Sequence, residues 1–137
     1  MAKIAFHLVM PERELVNTEA DMVVVPGVEG DFGVMHGHAP LISIVRPGVL
    51  EVLQNGKVEQ RFIVVGGFAE VTAERCTVLA DEATPFEQVT AEQLAERHQA
   101  AERDLVDAAT EAEKAAAQKA LAVAKDLQRA QAYYAGH

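Results

Sequence analysis

Apolar and polar positions alternate along the first part of the chain with a period of two. Ile4, Phe6, Leu8 and Met10 interleave with Lys3, Ala5, His7 and Val9, the pattern of a strand with one buried face, and Pro11 ends the run. Further strands are predicted over 20–25, 41–45, 49–53, 58–65, 69–72 and 76–80. Short runs rich in Val, Ile and Phe, cut at such intervals by turn formers, are how an all-β sandwich or barrel is written. No helix is expected there. Asn55-Gly56 between two such runs is the strongest hairpin signal, because a type I′ turn needs positive φ at both central residues. Arg46-Pro47-Gly48 and Gly66-Gly67 are weaker turn signals.

The pattern changes after residues 81–85. From Thr90 onward there is no proline, no glycine before Gly136, and 16 of 48 residues are alanine, which is helix composition. Thr90 with Gln93, and Thr110 with Glu113, fit the capping box, so helices are predicted over 91–108 and 111–134. On the first, Leu94, His98, Ala101, Leu105 and Ala108 recur with the spacing of one buried stripe. On the second, Ala112, Ala116, Ala120, Val123, Leu127 and Tyr134 share one side, and Lys114, Lys119, Lys125 and Arg129 lie across from them. A connection this short makes the pair an antiparallel αα-hairpin. The expected fold is α+β: an N-terminal antiparallel β-sandwich over 1–86, then a C-terminal antiparallel αα-hairpin over 87–137. The hairpin has few large aliphatics, namely Leu94, Leu105, Val106, Leu121, Val123 and Leu127. With so little apolar area to bury, it is expected to be held weakly and to take two positions.

Charge narrows the function. The 137 residues carry a net charge of −9, which disfavours nucleic acid and anionic lipid surfaces. Residues 1–89 account for −7 of this and residues 90–137 for −2, so the basic helix face is a local feature of an acidic chain. No run approaches the roughly 20 apolar residues of a membrane span, and the N-terminus lacks the apolar core of a signal peptide. The chain is expected in the cytoplasm without an anchor or direct lipid insertion. The single cysteine, Cys76, lies within an alternating apolar run and reads as a buried thiol in a reducing compartment.

Candidate chemistry concentrates in residues 30–40, GDFGVMHGHAP. His36-Gly37-His38 opens like the metal signature of a cupin, a small metal-dependent enzyme in which Asp31 would have to supply a third ligand. The residues after His38 are Ala-Pro-Leu-Ile-Ser-Ile-Val and offer none. A phosphate cradle needs backbone amides at a helix start, usually with a following lysine, and neither is present. Cys76 and Ser43 sit within strands, with no nucleophile elbow or triad context around them. No metal, cofactor or catalytic residue is therefore expected, and the remaining reading is a shaped contact loop.

Here the residues become specific. Gly27-Val28-Glu29-Gly30-Asp31-Phe32-Gly33-Val34-Met35-His36-Gly37-His38-Ala39-Pro40-Leu41, followed by Arg46-Pro47-Gly48, resembles the epsilon subunits of F-type ATP synthases, whose hallmark is G-x-E-G-x-x-G-x-x-x-G-H-A-P-L with a later K/R-P-G. Val64-Val65-Gly66-Gly67-Phe68 and the terminal αα-hairpin follow in that family's order. The resemblance implies a noncatalytic rotor subunit, peripheral on the cytoplasmic face of the bacterial inner membrane. Its expected partners are the gamma subunit, the polar loops of the c-ring and, through a raised hairpin that obstructs hydrolysis, the catalytic beta and alpha subunits. It assigns partner contact to Glu29, Gly30, Asp31, Gly33, His36, Gly37, His38 and Pro40, with Asp31 and His38 where the c-ring is met. It assigns the beta-subunit contact to Lys114, Lys119, Lys125 and Arg129. Some members bind ATP through an I/L-D-x-x-R-A motif on the first helix. Here Leu94 is followed by Ala95 where that motif has Asp, and His98 stands in place of its Arg, so no nucleotide is expected and a free-standing nucleotide-binding regulator is disfavoured.

Overall fold

The computed structural model describes residues 2–136. The chain divides into two compact units, Met1–Phe86 and Glu87–His137. The first contains ten strands: β1 Ile4–Met10, β2 Arg13–Ala20, β3 Met22–Gly27, β4 Gly30–Val34, β5 Leu41–Ile44, β6 Gly48–Gln54, β7 Lys57–Val65, β8 Phe68–Val71, β9 Arg75–Leu79 and β10 Glu82–Pro85. They form two five-stranded sheets, ordered β2-β1-β9-β8-β5 and β10-β7-β6-β3-β4. All pairings are antiparallel except that of β1 with β9.

The alternation read from the sequence places Ile4, Phe6 and Leu8 in the core, fully buried. Val23, Val25 and Val34 meet them from the other sheet side by side with Leu50, Val52, Phe62 and Val64. Cys76 is buried among them, and desolvation pushes its thiol up to about 12, so it is packing rather than a nucleophile. Asn55 at φ 53° and Gly56 at φ 77° make the expected hairpin turn between β6 and β7.

Three strands escaped the periodicity: β2, β4 and β10. Each is a sheet edge. Edge strands carry charges, glycines and proline because these discourage pairing with other chains, and the same residues erase the apolar alternation. β2 reads RELVNTEA, β4 reads GDFGV, and β10 ends in Pro85.

A 3-10 turn, Phe86–Gln88, begins at the last residue of the first unit, and the second unit holds α1, Ala91–Asp107, followed by α2, Glu111–Ala135. Thr90 and Gln93 form a complete capping box. At α2 the Thr110 hydroxyl accepts from the Glu113 N–H, but the Glu113 carboxylate takes the hydroxyl proton instead of reaching the backbone. The two helices pack on each other as a hairpin. Leu94 and Ala101 are buried on α1 as expected, whereas Leu105, Ala108 and His98 are half-buried.

The face of α2 is corrected. Ala117, Ala124 and Leu127 are buried, and Ala112, Ala116 and Ala120 are exposed. The buried stripe is rotated by about one residue, because it runs along Ala117, Leu121 and Ala124 and so brings Leu121 toward α1. Treating every alanine as equally apolar hid that choice. Val106, counted among the hairpin's aliphatics, is 84% exposed. No helix among the described residues is long and apolar enough to cross a membrane.

Candidate functional site

The residues read as one loop occupy two places. β3 ends in Pro26-Gly27 and β4 starts at Gly30, which leaves Val28 and Glu29 as a two-residue turn. Gly27 is required there, since a Cβ would lie 2.9 Å from the Gly30 carbonyl oxygen, and Gly30 closes the turn at φ 130°. Arg46, from the Arg-Pro-Gly segment, reaches back across this hairpin. Its Nη1 donates to the Gly27 carbonyl and its Nη2 to the Asp31 carboxylate, each at 2.5 Å. Its backbone N–H takes the Pro26 carbonyl at 2.9 Å, and the Val28 N–H takes the Ile44 carbonyl at 3.0 Å. Asp31 is therefore an ion-paired residue of an edge strand, while Glu29 stands exposed at the tip without a hydrogen bond or ion pair among the described residues.

The second place lies beyond the far end of β4. His36 and Gly37 form a turn closed by the His38 N–H on the Met35 carbonyl at 3.1 Å, with Gly37 at φ 92°. The Gly37 N–H donates to the Ala73 carbonyl at 2.7 Å, which ties this turn to the one between β8 and β9. Nδ1 of His38 is 2.7 Å from the Ala39 carbonyl oxygen. A carbonyl can only accept, so Nδ1 carries the proton. Pro40 is exposed and leads into β5. At about 3.3 Å per strand residue, Glu29 and His36 are roughly 20 Å apart along the chain. Gly33 lies midway; a Cβ there would fall 2.1 Å from Cε of Met22.

That separation disposes of the cupin reading. Asp31 cannot join His36 and His38 as a third ligand from the opposite end of β4, and no group of three metal-ligating side chains occurs among the described residues. His36 is exposed on its turn, so the His-x-His spacing serves the backbone bend.

A feature that periodicity missed lies on the outer face of the β2-β1-β9-β8-β5 sheet. Leu41 and Ser43 stand opposite buried Val71 and Ala69, so Ile42 and Ile44 point outward. Ile44 is in register with Phe68, Phe68 with Leu79, and Leu79 with Val9. Their exposures of 63%, 42% and 37% for Ile44, Phe68 and Leu79 make an apolar row across four strands. The sequence signal was Ile42-Ser43-Ile44 itself, but alternation alone would have turned both isoleucines inward. Only pairing with β8 shows which face they take.

On the hairpin, Lys114, Lys119, Lys125 and Arg129 are all exposed. Arg129 is also within 3.5 Å of Asp126, so the face is not purely basic. At the altered nucleotide motif, Leu94 is buried, Ala95 is half-buried, and Nε2 of His98 is buried without a hydrogen-bond partner among the described residues.

A β-sandwich with a rigid polar turn and an exposed apolar row is a protein that offers contact surfaces to a partner. Residues 3–86 match the family described as the ATP synthase delta/epsilon chain β-sandwich domain. The chain is 54% identical over 122 residues to an ATP synthase epsilon chain of Rhodospirillum rubrum, covering 89% of this chain and 91% of the relative. It is 50% identical over 125 residues to an ATP synthase epsilon chain of Paramagnetospirillum magneticum, covering 91% and 94%. Among solved structures, it resembles a chain of the Euglena gracilis mitochondrial ATP synthase OSCP/F1/c-ring assembly, with a TM-score of 0.79, 26% identity and coverage of 95% and 82%. It shares its fold with a chain of the Tetrahymena thermophila mitochondrial ATP synthase central stalk and c-ring, at a TM-score of 0.68, 20% identity and 96% coverage of both. The chain belongs to the ATP synthase delta/epsilon family, and it is a noncatalytic stalk subunit of an enzyme complex.

Proposed function

We propose that this subunit couples gamma to the polar loops of the c-ring on the cytoplasmic face of the bacterial inner membrane, as a peripheral protein, and that its hairpin restrains ATP hydrolysis. In this division of work residues 1–86 are the rotor-contact domain and residues 87–137 the regulatory one. The observation that carries the reading is the apolar row Ile44-Phe68-Leu79, which a monomer would otherwise leave in water. Gamma is assigned to this row, and the turn of His36, Gly37, His38 and Pro40, at the Leu41 end of β5, is assigned to the same rotor contact, with His38 toward the c-ring. The polar tip of Glu29, Gly30 and Asp31 is assigned to the c-ring loops. Gly33 acts from within β4 by letting Met22 pass. Lys114, Lys119, Lys125 and Arg129 are assigned to acidic segments of the beta and alpha subunits in the raised hairpin.

Reconstitution of ATP synthase depleted of this subunit tests both halves. Ile44→Lys is expected to leave the fold intact and to abolish co-purification with the complex. A chain ended after Phe86 is expected to bind but to raise ATP hydrolysis. Undiminished co-purification of Ile44→Lys would remove the gamma assignment, and unchanged hydrolysis with the truncated chain would remove the brake.

A further inference from the structure

The carboxylate assigned to partner contact by the family resemblance is already occupied within the chain. Pro26 pairs with Asp31 and Gly27 with Gly30 across the β3–β4 hairpin, and Arg46 spans that hairpin with one guanidinium nitrogen on each strand. The clamp is anchored on both sides. Val45 bridges Gly27, the Arg46 N–H holds Pro26, and the Ile44 carbonyl holds the Val28 N–H. A planar fork can satisfy a carbonyl and a carboxylate at once, which the single ammonium of lysine does less well. Asp31 and Arg46 largely cancel each other as charges. Glu29 is left as the unpaired carboxylate of the turn, held on a two-residue bend between Gly27 and Gly30.

We infer that Arg46 is a positioning residue that locks the turn and neutralises Asp31, so that Glu29 alone presents charge to a partner loop bearing a cationic side chain. This deepens the proposed function and rests on its reading that the turn meets a partner within the ATP synthase. Exposed charges at a contact rim act chiefly through long-range attraction, which salt screens, whereas an internal clamp acts through geometry. The two roles therefore separate experimentally.

Binding of the full chain to ATP synthase depleted of this subunit is measured at about 0.1 M and about 1 M salt, where the screening length falls from about 10 Å to about 3 Å. Glu29→Gln is expected to weaken binding about tenfold at the lower salt and to match the parent chain at the higher. Arg46→Asp is expected to weaken binding at both salts, because a carboxylate cannot donate to the Gly27 carbonyl and repels Asp31, whereas Asp31→Asn, whose amide oxygen still accepts from Arg46, is expected to bind within about threefold of the parent chain at about 1 M salt. Arg46→Lys is expected to fall between the parent chain and Arg46→Asp. Amide exchange at Val28 is expected to accelerate in Arg46→Asp and to stay near the parent rate in Asp31→Asn. An Asp31→Asn chain that binds at about 1 M salt as poorly as Arg46→Asp would show that the Asp31 carboxylate itself touches the partner, and would overturn the inference. So would unaltered binding of Glu29→Gln at low salt, or unchanged exchange at the turn in Arg46→Asp. If the parent chain fails to bind the depleted complex, the functional reading falls and takes this inference with it; failure of the variants alone leaves that reading standing.

Discussion

Gly67 and Gly56 both sit in left-handed backbone, at φ 95° and 77°, but their surroundings differ. A Cβ on Gly67 would lie 1.8 Å from the Leu79 carbonyl oxygen, whereas one on Gly56 would meet nothing within 4 Å. Alanine at Gly56 pays only the conformational term of about 1–2 kcal/mol. Alanine at Gly67 must also push two strands apart, so its loss of stability in urea denaturation is expected to be at least twice as large; equal losses would mean that the turn between β7 and β8 yields easily. Asp21 offers a pH test. The Asn55 N–H at 2.6 Å, and then the Lys3 ammonium at 2.9 Å, hold its carboxyl below the ordinary 3.8 against a smaller opposing effect of desolvation. A carboxylate whose folded pKa is lowered stabilises the fold above its unfolded value, and that contribution is lost as pH falls through the folded one. The advantage of the parent chain over Asp21→Asn in denaturation midpoint is therefore expected to stay constant from neutral pH downward and to close below pH 3.8. An advantage that persisted at lower pH would assign the effect to shape rather than charge.

At the scale of elements, helix ends were legible to within a residue because their signals are local. Thr90 and Gln93 lie three residues apart, and their mutual bonds need no other part of the chain. Thr90→Ala is expected to destabilise the first turn of α1 by about 1 kcal/mol, read as roughly fivefold faster amide exchange at Gln93. Unchanged exchange there would show that packing rather than the cap holds the turn. Strands were legible in the sheet interiors and at the β5 edge, and lost at the other three edges. β4 is the instructive case: two glycines and an aspartate read as a loop, and pairing with β3 makes them a strand. Asp31 and His36 were consequently grouped in one site, although β4 holds them at opposite ends.

Across the molecule, the cations of the hairpin offer a test of its proposed restraint of hydrolysis. Exposed ion pairs are worth about 1 kcal/mol or less each and weaken with salt. Replacing Lys114, Lys119, Lys125 and Arg129 together by glutamine is expected to raise hydrolysis by the reconstituted complex at about 0.1 M salt, with the difference from the parent chain collapsing near 1 M. A difference that survives high salt would assign the restraint to apolar contacts of the hairpin instead.

What the chain determined by itself is what depends on neighbours a few residues apart: the alternation of β1, the Asn55-Gly56 turn, the two helix caps, and the glycine and His-Ala-Pro spacing that carries the family resemblance. Tertiary structure decided everything that requires two distant segments to meet. Which face of β5 looks outward is set by its register with β8, the buried side of α2 by α1, and the pairing of Asp31 by an arginine fifteen residues away. Local preferences act through backbone geometry and short-range hydrogen bonds, and so leave a mark in sequence. Register and charge pairing are fixed only when the sheets and helices close on one another, because a strand carries side chains on both faces and only its partner chooses between them.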